Sequence, residues 1–255
     1  MRVVSLVPSW TETLLEAGIN VVGRTRFCVH PAQSIRHVPV VGGTKSVDVE
    51  RIASLAPDLV IVDREENARD MGLRWPLLDT HVRSLADAAN DTDRLATALS
   101  SPALADQASR WRRLLSMPPR TIGADDLPGV LSWWRRPVMA PEQLLYMIWK
   151  KPWMAAGPAT FVGDVLRWLG VGDLHRPTPT PYPGIDLDQV DAATTLLLFS
   201  SEPYPFQRHP QALTALGFPC ALVDGEKFSW FGLRTLRFLE EVADDGSGLA
   251  TELSP

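Results

Sequence analysis

Short apolar runs alternate with amphipathic stretches along most of the chain, the pattern of strands alternating with helices. Val3-Val4-Ser5-Leu6-Val7 reads as the first strand. Pro8-Ser9-Trp10-Thr11-Glu12 then opens a helix with Leu14, Leu15 and Ala17 apolar and Gly18 at its end. Ser9 with Glu12 three residues on has the form of a capping box. Val21-Val22-Gly23-Arg24-Thr25 predicts a second strand, Asp58-Leu59-Val60-Ile61-Val62 a third, and His81-Val82 the last of this half, with a loop and short helix expected over 66–71. Helices are predicted over Leu85–Leu99 and again from Ser101-Pro102 to Leu114-Leu115. In the second of these Ser101 suits the N-cap, Pro102 suits the first helical position, and Leu104, Ala108, Trp111 and Leu115 recur at helical spacing. Its length is roughly 20 Å at about 1.5 Å per residue. Beyond it, an irregular strand is expected over 128–133, a firmer one over 144–149, and an amphipathic helix from Thr160-Phe161 to Gly170. A final helix is expected over 233–242, with a small, polar, flexible tail from Asp244.

The two halves resemble each other. Val47-Asp48-Val49-Glu50-Arg51-Ile52 precedes the strand ending at Val62 and Asp63-Arg64-Glu65; Ile185-Asp186-Leu187-Asp188-Gln189-Val190 precedes Leu196-Leu197-Leu198-Phe199 and Ser200-Ser201-Glu202. Each copy reads as an acid-capped helix feeding a continuous apolar strand, so duplication is the economical reading. The expected fold class is α/β: two Rossmann-like lobes over 1–100 and 118–243, joined by a bridging helix over 101–117, with 244–255 as the tail. A ligand cleft between the lobes is expected at the strand ends carrying Glu65 and Glu202, as in open α/β sheets generally.

Composition narrows the choices. The net charge is -5 with Lys and Arg scattered, which gives no electrostatic footprint for nucleic acid or an anionic membrane. No apolar run approaches the ~20 residues of a membrane span. Two cysteines, Cys28 and Cys220, make no disulfide framework. With the first strand directly after Met1-Arg2 there is no room for a signal peptide, so a cytoplasmic location is expected; a mis-assigned start would make it periplasmic instead.

Candidate chemistry lies mainly in the aromatics. Trp149, Trp153, Tyr182, Tyr204, Phe206, Phe228 and Trp230 fall at strand ends or in the loops after them, where flat rings suit a large planar or apolar ligand. Cys28-x-His30 offers thiolate and imidazole for a metal, without a second ligand pair at metal-site spacing. The carboxylates Glu65, Glu66, Glu202, Asp224 and Glu226 are candidates for acid–base work. No nucleophile elbow, zincin helix or Walker sequence is present. The loop Arg176-Pro177-Thr178-Pro179-Thr180-Pro181-Tyr182-Pro183-Gly184 is expected to be extended and stiff.

Val3-Val4-Ser5-Leu6-Val7-Pro8-Ser9-Trp10-Thr11-Glu12, Val22-Gly23-Arg24-Thr25, Val40-Val41-Gly42-Gly43 and Asp48 through Ile61 resemble the N-terminal lobe of the helical-backbone metal-receptor superfamily, the class III substrate-binding proteins of ABC importers for vitamin B12, haem and ferric siderophores. The likeness runs to about Arg237 and is nearest a branch without a signal peptide, through Phe27-Cys28-Val29-His30-Pro31, Glu65-Glu66-Asn67, Ile148 to Met154, Ser200 to Phe206, and Asp224-Gly225-Glu226 with Ser229-Trp230-Phe231-Gly232. Members that bind vitamin B12 place a tryptophan where this chain has Asp63, and an Asp-Trp-Phe-x-x-Arg motif where it reads Ser229-Trp230-Phe231-Gly232-Leu233-Arg234. Glu202 and Asp70 lie near the positions through which exported members dock on a permease.

The resemblance implies a non-enzymatic binding protein for a metal chelate, whether corrinoid, haem or ferric siderophore, with no covalent cofactor and an ABC permease as partner if the chain is exported. Trp10, Trp149, Trp153, Tyr182, Tyr204, Phe206 and Trp230 would supply ring surface, Glu65, Asn67 and Glu202 polar orientation, and Cys28 or His30 an axial metal contact. A monomer is expected. The alternatives are a cytosolic enzyme using Cys28 or the carboxylates, and a cytosolic sensor or carrier of the same ligand.

Overall fold

The computed structural model describes residues 1–69 and 71–247. In chain order the strands are β1 (Val3–Ser5), β2 (Val21–Arg24), β3 (Leu59–Asp63), β4 (Leu77–Thr80), β5 (Val130–Arg135), β6 (Gln143–Trp149), β7 (Met154–Ala156), β8 (Thr195–Ser200) and β9 (Cys220–Val223). The helices are α1 (Pro8–Glu16), α2 (Val49–Ser54), α3 (Leu85–Leu99), α4 (Pro102–Leu115), α5 (Phe161–Trp168), α6 (Pro210–Thr214), α7 (Gly225–Ser229) and α8 (Leu233–Ser247). These elements pack as two compact units.

The first unit holds Met1–Val82, Ala86–Ser116 and Trp230–Ala243. Its sheet has the order β2-β1-β3-β4 with every pairing parallel. Parallel strands are covered on both faces, and Val3, Val4, Val60 and Ile61 are accordingly fully buried. Asp48 caps α2 by accepting from the Arg51 amide, and the Ser101 hydroxyl accepts from the Leu104 amide at the start of α4, both as the sequence predicts. On α4 the inward face is Leu104, Gln107, Ala108, Trp111 and Leu114; Leu115, expected inside, lies on the same stripe but is the last residue of the helix and is 38% exposed. The last strand of the unit is β4, ending at Thr80, one residue before the expected His81-Val82. No helix forms over the described residues of 66–71, and Asp70 lies outside the described residues.

The second unit holds Arg83–Leu85, Met117–Ser229 and residues from Asp244 on. Its sheet runs β5-β9-β8-β6-β7, with β6, β8 and β9 parallel and the outer strands β5 and β7 antiparallel. β5 is irregular as expected, with two register shifts against β9. The second copy of the repeat keeps its acid cap, Asp186 accepting from the Asp188 amide, but makes only a 3-10 turn over Leu187–Gln189 before β8. Thr160 caps α5, and Gly170 closes it at φ +86°, where an added Cβ would meet the Arg120 carbonyl oxygen. The terminal helix α8 continues to Ser247, past Asp244, where the sequence suggests a loose tail; 248–255 lie outside the described residues. Among the described residues no helix is long and apolar enough to cross a membrane.

Candidate functional site

In the first unit, candidate residues gather where β2 and β3 end. The loop after β2 is pinned by Cys28, which is fully buried with its thiol 3.1 Å from the Thr11 hydroxyl and 3.2 Å from that of Thr25. Arg24 adds bonds from Nη1 to the carbonyl oxygens of Thr25 and Cys28. With Cys28 turned inward, Phe27 and Val29 on either side of it are each 48% exposed. His30 follows, half-buried, its ring edge-on to Trp230 at 5.3 Å between centroids and 71° between planes. Burial pushes the Cys28 thiol above its ordinary range, so the thiolate that a soft metal or an electrophile needs is disfavoured.

Trp230 is held from its own side of the chain. The Arg234 guanidinium lies 5.4 Å over its ring, and Arg234 donates to both carboxylate oxygens of Glu12, at 2.9 and 2.5 Å. This pair replaces the expected capping box: α1 starts at Pro8, Val7 stands at the N-cap with no side-chain bond, and Glu12 points away to Arg234. The periodicity of α1 alone does not reveal such a partner, since 222 residues separate the two.

Asp63, at the end of β3, is buried and organises the turn behind it. Its Oδ1 accepts from the Glu65 amide, its Oδ2 accepts from the Thr80 hydroxyl at 2.7 Å, and its own amide donates to Asn67 Oδ1. Asn67 also donates to the carbonyl oxygens of Leu6 and Thr44. Glu65 remains at the surface, 3.6 Å from His81 Nε2. A pocket of about 580 Å³ opens beside this turn, walled by Val62, Met71, Leu73 and Leu77, with Arg64 bonded to Asp79 at its rim.

In the second unit the rings form a connected run at the ends of β6 and β8. Trp149 meets Tyr204 edge-on at 5.5 Å, Tyr204 meets Phe206 at 4.6 Å, and Phe206 lies parallel to Trp153 at 6.3 Å and tilted to Phe199 at 4.9 Å. The Lys150 ammonium stands 5.3 Å over the Trp153 ring. Exposure grades along the run, from Phe206 at 0% to Trp149 at 42%. Tyr182, in the proline-rich loop, is 41% exposed, and that loop is tied to β7 by Ala155 and Gly157 amides donating to the Pro183 and Pro181 carbonyl oxygens. Glu202 follows β8 and accepts from the Ser229 hydroxyl at 3.1 Å. Nearby, the buried Tyr146 hydroxyl donates to Ser200, and burial raises its pKa well beyond the usual phenol value.

Four sequence candidates therefore serve the fold instead of a surface. Trp10 is fully buried, with its indole N–H given to Thr80 and its ring against Phe231. Asn67 uses its amide inside the β3 turn, Phe206 is enclosed by three rings, and Cys28 is sealed between two threonines. What remains at or near the surface is His30 and Glu65 in the first unit, where Trp230 is buried at 8% exposure, and Trp149, Trp153, Tyr182, Glu202 and Tyr204 in the second. Phe228, also among the expected rings, is fully buried against Tyr146. Sequence reasoning missed Phe27, Val29 and Arg234 as site neighbours, although two exposed apolar residues flanking a cysteine are legible as an in–out alternation.

Two open α/β sheets with ring-bearing loops after their strands are the fold class of the two-lobed binding proteins, as the sequence resemblance implied. Residues 3–74 match the periplasmic binding protein family. The vitamin B12-binding protein of Vibrio cholerae is 22% identical over 208 residues, spanning 79% of this chain and 70% of that protein. Among solved structures, the periplasmic haem-binding protein BhuT, in complex with two haems, superposes with a TM-score of 0.72 at 20% identity, covering 95% of this chain and 96% of that one. The siderophore-binding protein FhuD of Vibrio cholerae, with Fe3+-Desferal bound, gives 0.65 at 20% identity over 96% and 97% of the two chains. All three relatives are named as binding proteins. The cytoplasmic location expected from the sequence has no counterpart in BhuT, whose name places it in the periplasm.

Proposed function

We propose that this chain is a substrate-binding protein for a metal chelate, of the class III type, and not an enzyme. The observation that carries the reading is the run of rings at the ends of β6 and β8, which grades from a buried anchor at Phe206 to the exposed face of Trp149. Rings backed by other rings present a flat apolar surface at little entropic cost, which suits a macrocycle or a bulky chelate. Tyr204, Trp153 and Glu202 complete this surface in the second unit. Of the groups that the enzyme alternative would use, Cys28 or the carboxylates, the Cys28 thiol is buried and burial raises its pKa, which disfavours the thiolate.

The test is a visible absorbance spectrum and native mass of the purified chain after adding a corrinoid, haemin and ferric desferrioxamine separately. A retained chromophore with a matching mass increment supports the reading. Trp149→Ala is expected to weaken that binding several-fold to tenfold, on the scale of one lost aromatic contact of about 0.5–1.5 kcal/mol, with the far-ultraviolet circular dichroism unchanged. Retention of none of the three would overturn it. An importer as partner requires the chain to lie outside the cytosol, and fractionation of cells producing the native gene reads the location directly.

A further inference from the structure

The edge strand of the first unit's sheet is covered on one face only. β4 pairs with β3 alone, and the register sets Leu77 beside Val60 and Asp79 beside Val62, so these four side chains share a face. Leu78 and Thr80 point the other way and are buried. On the shared face Val60 and Val62 pack into a cluster with Val4, Leu6, Val41 and, from α2, Ile52, while Leu77 is 49% exposed. Parallel strands ordinarily have both faces covered, so the open apolar position on β4 is ground that a ligand can cover.

The cavity of about 580 Å³ beside the β3 turn lies on this ground. Val62, Leu77 and Asp79 floor it, and it is walled by Met71 and Leu73, which pack against the same cluster from the segment between β3 and β4. Its volume falls in the range of about 300–1,000 Å³ usual for small-molecule sites. Among the described residues two guanidinium groups line it, and they differ. Arg64 donates from Nε and Nη2 to Asp79 Oδ2, at 2.8 and 2.7 Å, and holds that carboxyl below the usual carboxylate range. Arg69 is exposed and has no hydrogen-bond or ion-pair partner among the described residues. The charge of Arg64 is therefore matched within the protein, while Arg69 holds out a fork of donors suited to a carboxylate, beside walls suited to a hydrocarbon.

We infer that this cavity binds an amphipathic carboxylate, its hydrocarbon part laid over Val62, Met71, Leu73 and Leu77 and its carboxylate paired with Arg69. A neutral hydrocarbon would leave the guanidinium unmatched, and a cation would be repelled by it. The site goes beyond the metal-chelate reading, which rests on the rings of the second unit, and needs no metal.

The experiment titrates the full chain with decanoate and, separately, with decanol by calorimetry, and follows the Met71 methyl resonance in protein isotope-labelled at the methionine methyl groups. That resonance is identified as the one missing from Met71→Leu. Decanoate is expected to bind one per chain and shift the Met71 methyl, with decanol about tenfold weaker. Arg69→Gln weakens decanoate about tenfold, the scale of a charge-assisted hydrogen bond, and leaves decanol unchanged. Arg36→Gln, which removes an exposed cation elsewhere in the unit, changes neither. Circular dichroism checks each fold, with Arg69→Met as the second variant should Arg69→Gln unfold. No binding of decanoate overturns the assignment, as does binding that leaves the Met71 methyl unmoved or an affinity unchanged in whichever Arg69 variant folds. Haemin, corrinoid and ferric desferrioxamine are expected to bind Arg69→Gln as they bind the parent, so that either reading can fail without the other. A chelate that displaces decanoate overturns the cavity as a site of its own.

Discussion

Glu12 on α1 and Arg234 on α8 are joined by two hydrogen bonds of 2.9 and 2.5 Å, although 222 residues separate them in the chain. The contact ties α8 to α1 within the first unit. A second tie lies beside it, where the Thr13 hydroxyl accepts from the Leu233 amide at the start of α8.

Removing one partner of this pair strands the other. Glu12 is nearly buried while the Arg234 side chain is 25% exposed, so the loss is smaller than for a fully enclosed pair. Glu12→Gln is expected to cost about 1–3 kcal/mol, read as a lower urea midpoint at unchanged slope. A midpoint equal to that of the parent would show that the bidentate pair adds nothing to the fold.

Gly232 sits between the same elements with φ +100°, and a Cβ there would lie 2.4 Å from Thr13 Oγ1 and 3.2 Å from the Trp10 ring. Gly232→Ala combines a strained backbone with a clash against a buried hydroxyl, and about 2 kcal/mol or more of destabilisation is expected. Gly18, also at positive φ (+73°), has open space around it, so Gly18→Ala should cost less. Thermal melts of the two variants side by side read the difference.

Both thiols are buried, and burial raises both pKa values, that of Cys220 to about 11. At pH 8 native protein should react with a thiol reagent such as Ellman's only as fast as it opens, and release two equivalents in denaturant. Because the folded pKa values are raised, the native state keeps its thiol protons longer than the unfolded chain. The stability tied to them is complete below the unfolded cysteine value, and declines as pH rises towards that of the folded state. Urea midpoints should therefore fall above pH 9.

His175 is buried, with Nε2–H donating to the Ala156 carbonyl oxygen at 2.8 Å and Nδ1 without a hydrogen-bond partner. Burial lowers its pKa, so the unfolded chain takes up the proton first on acidification. The stability linked to the neutral ring is present above the ordinary histidine value and is lost as pH falls through the lower folded value. A urea midpoint that drops between pH 7 and pH 5, with a shallower drop in His175→Gln, is the expected result.

Much of the fold was legible in local pattern, because its causes are local. Asp48 and Ser101 cap the helices that follow them, Gly170 ends α5 at positive φ, and the apolar runs at Leu59–Asp63 and Thr195–Ser200 became fully buried strands. Continuous apolar runs of that length announce strands covered on both faces. The aromatic stretches after β6 and β8 were legible for the same reason, as rings placed where a strand stops.

Local pattern stopped short wherever a side chain chose between a near partner and a distant one. Ser9 and Glu12 have the spacing of a capping box, yet Glu12 bonds to Arg234, because a nearby guanidinium outweighs one more helix-end amide. Trp10, Phe206 and Phe228 carry the same ring chemistry as Trp149 and Tyr182, and burial alone separates anchors from exposed faces. The sequence by itself determined the alternation of strands and helices, their caps, and the class of chemistry that the strand-end loops carry. Tertiary structure decided that residues 230–243 pack with the first unit, that Cys28 turns in while Phe27 and Val29 turn out, and that His30 meets Trp230. Those outcomes depend on contacts between segments far apart in the chain, whose energies no local window contains.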